Sequence, residues 1–170
     1  MIKPIIIIIM DFLSLVTKNR SYRRFKQDYR LEIDTLKELV NLARLSGSSS
    51  NIQGLKFYLS VDNEKNSMIF KHLKWAYYLK NWEGPAAGER PGGYIIILGD
   101  TEIHLTIDTD VGIAAQSILL GATEKGLGGC MIGSIDRPGL RKTLKIKEQF
   151  QIPLVIALGK PNEQVVLEKV

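Results

Sequence analysis

Apolar positions along this chain recur in two rhythms, and each change of rhythm marks a boundary between a helix and a strand. Spacings of three and four predict a short helix over residues 11–18 and a longer one over 33–45, with Ile33, Leu36, Leu39, Val40 and Ala43 on its inner face and Asp34 near its start. Gly47 and a serine run end it. Phe57 to Val61 then reads as a strand, residues 64–80 as a polar-to-aromatic helix, and Tyr94 to Leu98 as a buried strand. The segment 81–93 is rich in Gly and Pro and predicts a long loop, with Trp82 placed to act as a lid.

Residues 111–125 predict a helix that is apolar on nearly every side, with Asp108, Thr109 and Asp110 as candidate N-caps and Gly126 at the left-handed C-terminal position. Such a helix must be buried on several faces, in a core or at a subunit contact. Cys130 to Ser134 reads as a strand ending in small residues, Asp136 and Pro138 open another helix, and residues 152–158 form the last strand. Five helices and four main strands make an α+β chain. The end from Gln164 to Val170 reads as extended.

Composition narrows the class. The chain has 170 residues, 45% hydrophobic and 24% charged, enough for one domain with a substantial core. A net charge of +5 suits an anionic partner, while scattered acidic residues argue against nucleic acid. Cys130 is the single cysteine, so no internal disulfide forms, and a cytoplasmic location is expected. The run Ile5 to Ile9 stops at Asp11, well short of the ~20 apolar residues of a membrane span, and predicts a strand or arm that lies on the body or pairs with another subunit.

The candidate chemistry centres on Arg20-Ser21-Tyr22-Arg23-Arg24-Phe25. Guanidinium forks match phosphate oxygens two at a time and a serine hydroxyl can fill a remaining one, so this cluster predicts an anion seat. No Walker lysine loop is present, and the glycines over 126–133 follow a helix and precede a strand, the reverse of the Rossmann order. His72 and His104 are the only histidines and neither sits at metal-ligand or triad spacing, so no metal site and no catalytic side-chain set is expected.

Four motifs in order resemble those of the nitroreductase family of flavin oxidoreductases. They are Arg20-Ser21-Tyr22-Arg23-Arg24-Phe25, Ser48-Ser49-Ser50-Asn51-Ile52-Gln53, Asp110-Val111-Gly112-Ile113-Ala114-Ala115-Gln116 with the turn Gly126-Leu127-Gly128, and Ala157-Leu158-Gly159-Lys160-Pro161. The resemblance implies a mixed, largely antiparallel sheet wrapped by helices, in an interlocked homodimer with FMN sites at the subunit interface. It implies that Arg20, Ser21 and Arg23 hold the FMN phosphate, and that Ser48, Ser49 and Asn51 reach the cofactor of the other subunit, with Gln53 supporting that turn. Met131, Ile132, Gly133 and Ser134 would lie against the flavin ring through their main chain, the Gly133 N–H facing flavin N5.

The implied activity is hydride transfer from NAD(P)H through flavin N5 to a nitroaromatic, quinone or similar electron-poor acceptor by a ping-pong mechanism, with the chemistry carried by the cofactor. Acceptor selectivity is expected from Trp75, Tyr77, Tyr78 and Trp82. By family pattern a long C-terminal arm is expected to be lacking, which leaves residues 1–10 as an extension and 11–170 as a single domain. The alternative is a flavin-free ligand- or nucleic-acid-binding domain that uses Lys18, Arg20, Arg23, Arg24, Lys26 and Arg30 as a basic surface.

Overall fold

A computed structural model of the chain describes residues 11–76 and 78–168; the Ile-rich leader and Tyr77 lie outside the described residues. Helix α1 (Phe12–Lys18) and helix α2 (Ile33–Leu45) precede β1 (Leu55–Ser60), α3 (Asn63–Phe70) and β2 (Gly93–Asp100). Helix α4 (Asp108–Glu124), β3 (Gly128–Ile132), α5 (Arg137–Leu144) and β4 (Phe150–Gly159) complete the order.

The strands form one sheet in the order β1-β2-β4-β3, antiparallel at every pairing. Every residue of β2 is buried, which requires cover on both faces of the sheet. Strand alternation divides that cover. Ile95 and Ile97 of β2, with Ile156 and Leu158 of β4, face Leu36 and Leu39 of α2 and Ala115, Ile118 and Ala122 of α4. Tyr94, Ile96, Val155 and Ala157 face the opposite way, toward Ile69 of α3, Leu140 of α5, Phe25 and Trp75.

An isolated parallel bridge between Ser21 and Gly129 sets the basic segment beside the free edge of β3, while the four-stranded sheet itself is antiparallel throughout among the described residues, where a mixed one is expected from the resemblance. Phe25 bridges to Pro161, Lys26 N–H donates to the Lys160 carbonyl at 2.8 Å, and Asn162 N–H donates to the Arg24 carbonyl at 2.9 Å. Phe25 is fully buried and lies against Gly159, where an added Cβ would come within 2.9 Å of its ring. The sheet thus grips the basic segment from both β3 and the end of β4.

Two expectations are corrected. The helix expected over 64–80 ends at Phe70, because residues 72–74 turn into an extended strip: Leu73 bridges to Ile135, Lys74 N–H donates to Ser134, and Asp136 N–H donates to His72. That strip delivers Leu73 and Trp75 to the core, so tertiary pairing overrides local periodicity. Asp108, Thr109 and Asp110 are not N-caps but form the first turn of α4, whose N-cap is Ile107. The caps at Asp136 and the left-handed Gly126 (φ 67°) agree with expectation.

Ile97 is fully buried in the first cluster. Ile97→Ala is expected to lower the unfolding free energy by ~2–5 kcal/mol in denaturant titrations. Lys56→Ala, on the exposed side of β1, should stay within ~0.5 kcal/mol.

Candidate functional site

The candidate anion seat lies on the edge segment gripped by β3 and β4. Tyr22 N–H donates to the Gly129 carbonyl at 3.0 Å, so Ser21 and Arg23 flank a residue locked to the sheet. The Ser21 side is exposed, and the Arg23 guanidinium donates to the Ser21 carbonyl at 3.1 Å while lying 5.6 Å from the Tyr78 ring centre. One guanidinium nitrogen of Arg20 donates to the Val16 carbonyl at 2.7 Å, and its Nε is buried without a partner among the described residues. An unpaired cationic donor beside a serine and a second arginine is a donor set suited to phosphate.

Glu163 is a component that sequence patterning missed. Its carboxylate accepts from the main-chain N–H of Arg23 and from that of Arg24, the latter at 3.1 Å. The two consecutive amides form a small nest closed by the protein's own anion, so an added anion would be met by side-chain donors. Partners nearly the whole chain apart leave no local trace in the sequence. Arg23, Arg24, Tyr78, Trp82 and Glu163 line an open groove of ≈630 Å³ beside the seat.

At the far end of β3, Met131 is exposed, Ile132 is buried at 5%, and Gly133 is exposed with no atom within 4 Å of an added Cβ. Ser134 is half-buried. Open space beside a glycine at a strand end lets a flat group approach the main chain closely. Gly129 is the opposite case: an added Cβ would meet the Ala157 carbonyl oxygen at 2.4 Å, so the strand and its neighbours close tightly there.

The turn over 48–53 is a separate element, and among the described residues no hydrogen bond joins it to the seat or to residues 131–134 of the same chain. Ser50, Asn51 and Gln53 all have left-handed backbones, with φ of 49°, 55° and 58°. Such conformations cost ~1–3 kcal/mol each for residues other than glycine and persist where surroundings over-determine them. Asp110 supplies the restraint: its Oδ1 accepts from the Ser49 N–H at 2.8 Å and from the Ser49 hydroxyl at 2.9 Å. Gln53 N–H donates to Ser48 Oγ at 3.3 Å and its side-chain amide donates to Asn51 Oδ1 at 2.8 Å.

The remaining candidates resolve into structural roles. His72 is not isolated as its spacing suggests: its ring nitrogens lie 2.9 Å from Asp136 and 2.9 Å from the Thr143 hydroxyl. Asp136 also caps α5 by accepting from Gly139 N–H at 3.1 Å, so the cluster clamps α3 to α5. The His72 hydrogen bond holds the Asp136 carboxyl below the ordinary carboxylate range. Trp75 is core, with Gly84 at φ 112° pressed on it so closely that a Cβ would lie 2.7 Å from its ring. Tyr78 is 67% exposed and Trp82 half-buried, and both line the groove.

The expected lid is tied down along its second half. Phe25 N–H donates to the Glu89 carbonyl, Gly88 and Arg90 N–H donate to Gln27, and the Arg90 guanidinium stacks 4.2 Å from the Phe70 ring centre. The basic surface is likewise interrupted, since Arg24 pairs with Glu89 at 3.6 Å and Arg30 with Glu32 at 3.2 Å. Among the described residues no group of His, Cys, Asp and Glu is arranged to hold a metal ion, and no helix is long and apolar enough to cross a membrane.

Comparison with known proteins gives a consistent picture. The profile of the nitroreductase family matches residues 16–89 and 80–160. A Bacillus subtilis (strain 168) protein named as an NAD(P)H nitroreductase, MhqN, is 22% identical over 91% of this chain and 90% of its own length. Among solved structures, an FMN-dependent nitroreductase from Clostridium difficile R20291 superposes with a TM-score of 0.76 at 25% identity, over 93% of this chain and 92% of that one. A nitroreductase family protein from Streptococcus pneumoniae TIGR4 shares the fold with a TM-score of 0.77 at 18% identity, over 94% and 95% of the two chains.

Cys130 sits in β3 between the seat and Gly133. Burial pushes its thiol up to about 12, with Arg23 pulling the other way and Glu163 adding to the rise. The native thiol is therefore expected to stay silent toward a thiol-specific reagent at pH 8 and to react once the protein is unfolded. Because the folded state holds this proton more tightly, its contribution to stability is complete below pH ~9 and is lost as pH rises toward about 12. Denaturant titrations of wild type and Cys130→Ala across that window should converge as pH increases.

Proposed function

The chain belongs to the nitroreductase family of oxidoreductases, and from that premise we propose that it is an FMN enzyme that oxidises NAD(P)H and reduces nitroaromatics, quinones or similar electron-poor acceptors. The observation that carries this reading is the Ser21–Gly129 bridge. It sets the basic segment against β3 at Gly129, and the open Gly133 follows that strand's last residue, about 13 Å further along at ~3.3 Å per residue. One end of that edge suits a phosphate and the other a flat ring.

The residues present fit the cofactor. Arg20, with its unpartnered buried Nε, would hold the phosphate together with Ser21 and the guanidinium of Arg23. Main-chain groups of Met131, Ile132, Gly133 and Ser134 would orient the ring, and the absence of side-chain bulk at Gly133 keeps that approach open. When bound, the cofactor would supply two-electron hydride chemistry at N5 between NAD(P)H and the acceptor, in the manner of a ping-pong cycle. With that chemistry carried by the cofactor, the chain would need no nucleophile or acid–base pair at this edge. Tyr78 and Trp82 beside the groove would favour flat, electron-poor acceptors.

A homodimer completes the reading. Helices α1, α2 and α4 share a face on which Leu15, Leu42, Leu45 and Leu120 surround an open groove, and Phe12, Leu13 and Ile113 are exposed nearby on the same helices. An apolar patch of this kind suits a symmetric contact between two copies. In that dimer the turn bearing Ser48, Ser49, Asn51 and Gln53 would meet the cofactor of the second copy.

The test is equilibrium titration with FMN and with riboflavin. Charge-assisted bonds to the phosphate should favour FMN by about 10–100-fold, and the preference should shrink as ionic strength rises. Arg23→Ala keeps the main-chain N–H that Glu163 accepts, so it should weaken FMN about tenfold or more, leave riboflavin unchanged and barely alter stability. Equal affinity for the two flavins would remove the phosphate seat. A colourless protein that binds polynucleotide instead would establish the basic-surface alternative.

A further inference from the structure

We propose that Asp110 is a positioning residue for the cofactor, acting through Ser49 to hold the 48–53 turn in the shape that meets the flavin of a second copy of the chain. The proposal rests on the FMN reading above. Asp110 is 2% exposed and lies in the first turn of α4, where free helical N–H groups favour a carboxylate. Instead of folding back onto its own helix, it reaches across to a residue 61 positions earlier and takes both polar hydrogens of Ser49 on one oxygen. Three left-handed residues follow within the same turn, at Ser50, Asn51 and Gln53. Removing the anchor frees a backbone that has easier conformations to adopt.

The other oxygen separates this role from simple stabilisation. Oδ2 is buried and has no partner among the described residues. A half-satisfied buried carboxylate contributes little to stability: its replacement removes the unmet acceptor, and the two Ser49 donors it releases sit on a half-buried residue that water can reach. A residue kept for folding alone would therefore leave stability and cofactor affinity moving together. A residue kept for positioning lets them part, with affinity falling while stability changes little.

The experiment is FMN titration of the full chain with wild type, Asp110→Ala, Asp110→Asn and Ser49→Ala, each paired with a thermal unfolding curve of the flavin-free protein. Asp110→Ala is expected to weaken FMN about 10–100-fold, the loss of hydrogen bonds to a charged group. Asp110→Asn keeps an oxygen that can accept from Ser49, and its affinity should return to within about threefold of wild type, with the wild-type shape of the bound-flavin visible band. Ser49→Ala removes the hydroxyl donor alone, should weaken FMN less than Asp110→Ala, and should add little to it in the double variant. If Asp110→Ala does not fold, Ser49→Ala and Asp110→Asn decide. Wild-type affinity in Ser49→Ala and in whichever Asp110→Ala protein folds, with wild type itself binding FMN, would overturn the proposal. A wild type that takes up no FMN removes the underlying reading and the proposal with it.

Discussion

The grip of the sheet on residues 20–26 is the constraint on which the rest of the candidate site depends. Left to itself, a segment with three arginines would be a solvated strand with no fixed geometry. Here Phe25 is buried against Gly159, and main-chain bonds run to Gly129 in β3, to Glu89 in the loop, and to Lys160 and Asn162 after β4. Full burial of such a ring contributes ~1.5–3 kcal/mol and each bond ~0.5–1.5 kcal/mol. The arginines are thereby presented from a rigid edge, and rigidity is what turns positive charge into a site that recognises a particular anion.

How much of this was legible in the sequence follows from the range of each interaction. Helix α4 was readable because its apolar surface, its left-handed Gly126 and its length are all local properties. The motifs at Arg20, Ser48 and Asp110 were readable as a resemblance, and the family match and the fold agree with it. The end of α3 was not, because the strip at 72–74 is extended only by its pairing with residues 134–136, which no local pattern records. Glu163 on the Arg23 main chain, His72 on Asp136 and Asp110 on Ser49 join residues separated by 140, 64 and 61 positions. For Asp110 alone the sequence held a hint, as the first residue of a motif whose other members are apolar or small up to Gln116.

The two parts of the proposed cofactor site are constructed differently. The seat and the end of β3 are held by sheet hydrogen bonding, which tolerates little rearrangement. The 48–53 turn is held against an unfavourable backbone by bonds within itself and by one anchor from outside it, the buried Asp110 carboxylate. In a dimer whose sites join one part from each copy, assembly and cofactor binding would be coupled, since ordering either part would favour the other.

The central claim is that this edge of the sheet holds a flavin that cycles between NAD(P)H and an acceptor. Its most direct test is the visible spectrum of the purified chain after saturation with FMN and removal of free cofactor, followed without oxygen as NADH or NADPH and then a quinone are added. The account predicts a yellow protein whose flavin band bleaches with the nicotinamide and returns with the quinone. A protein that emerges colourless, or whose bound flavin is unchanged by both nicotinamides, would contradict it.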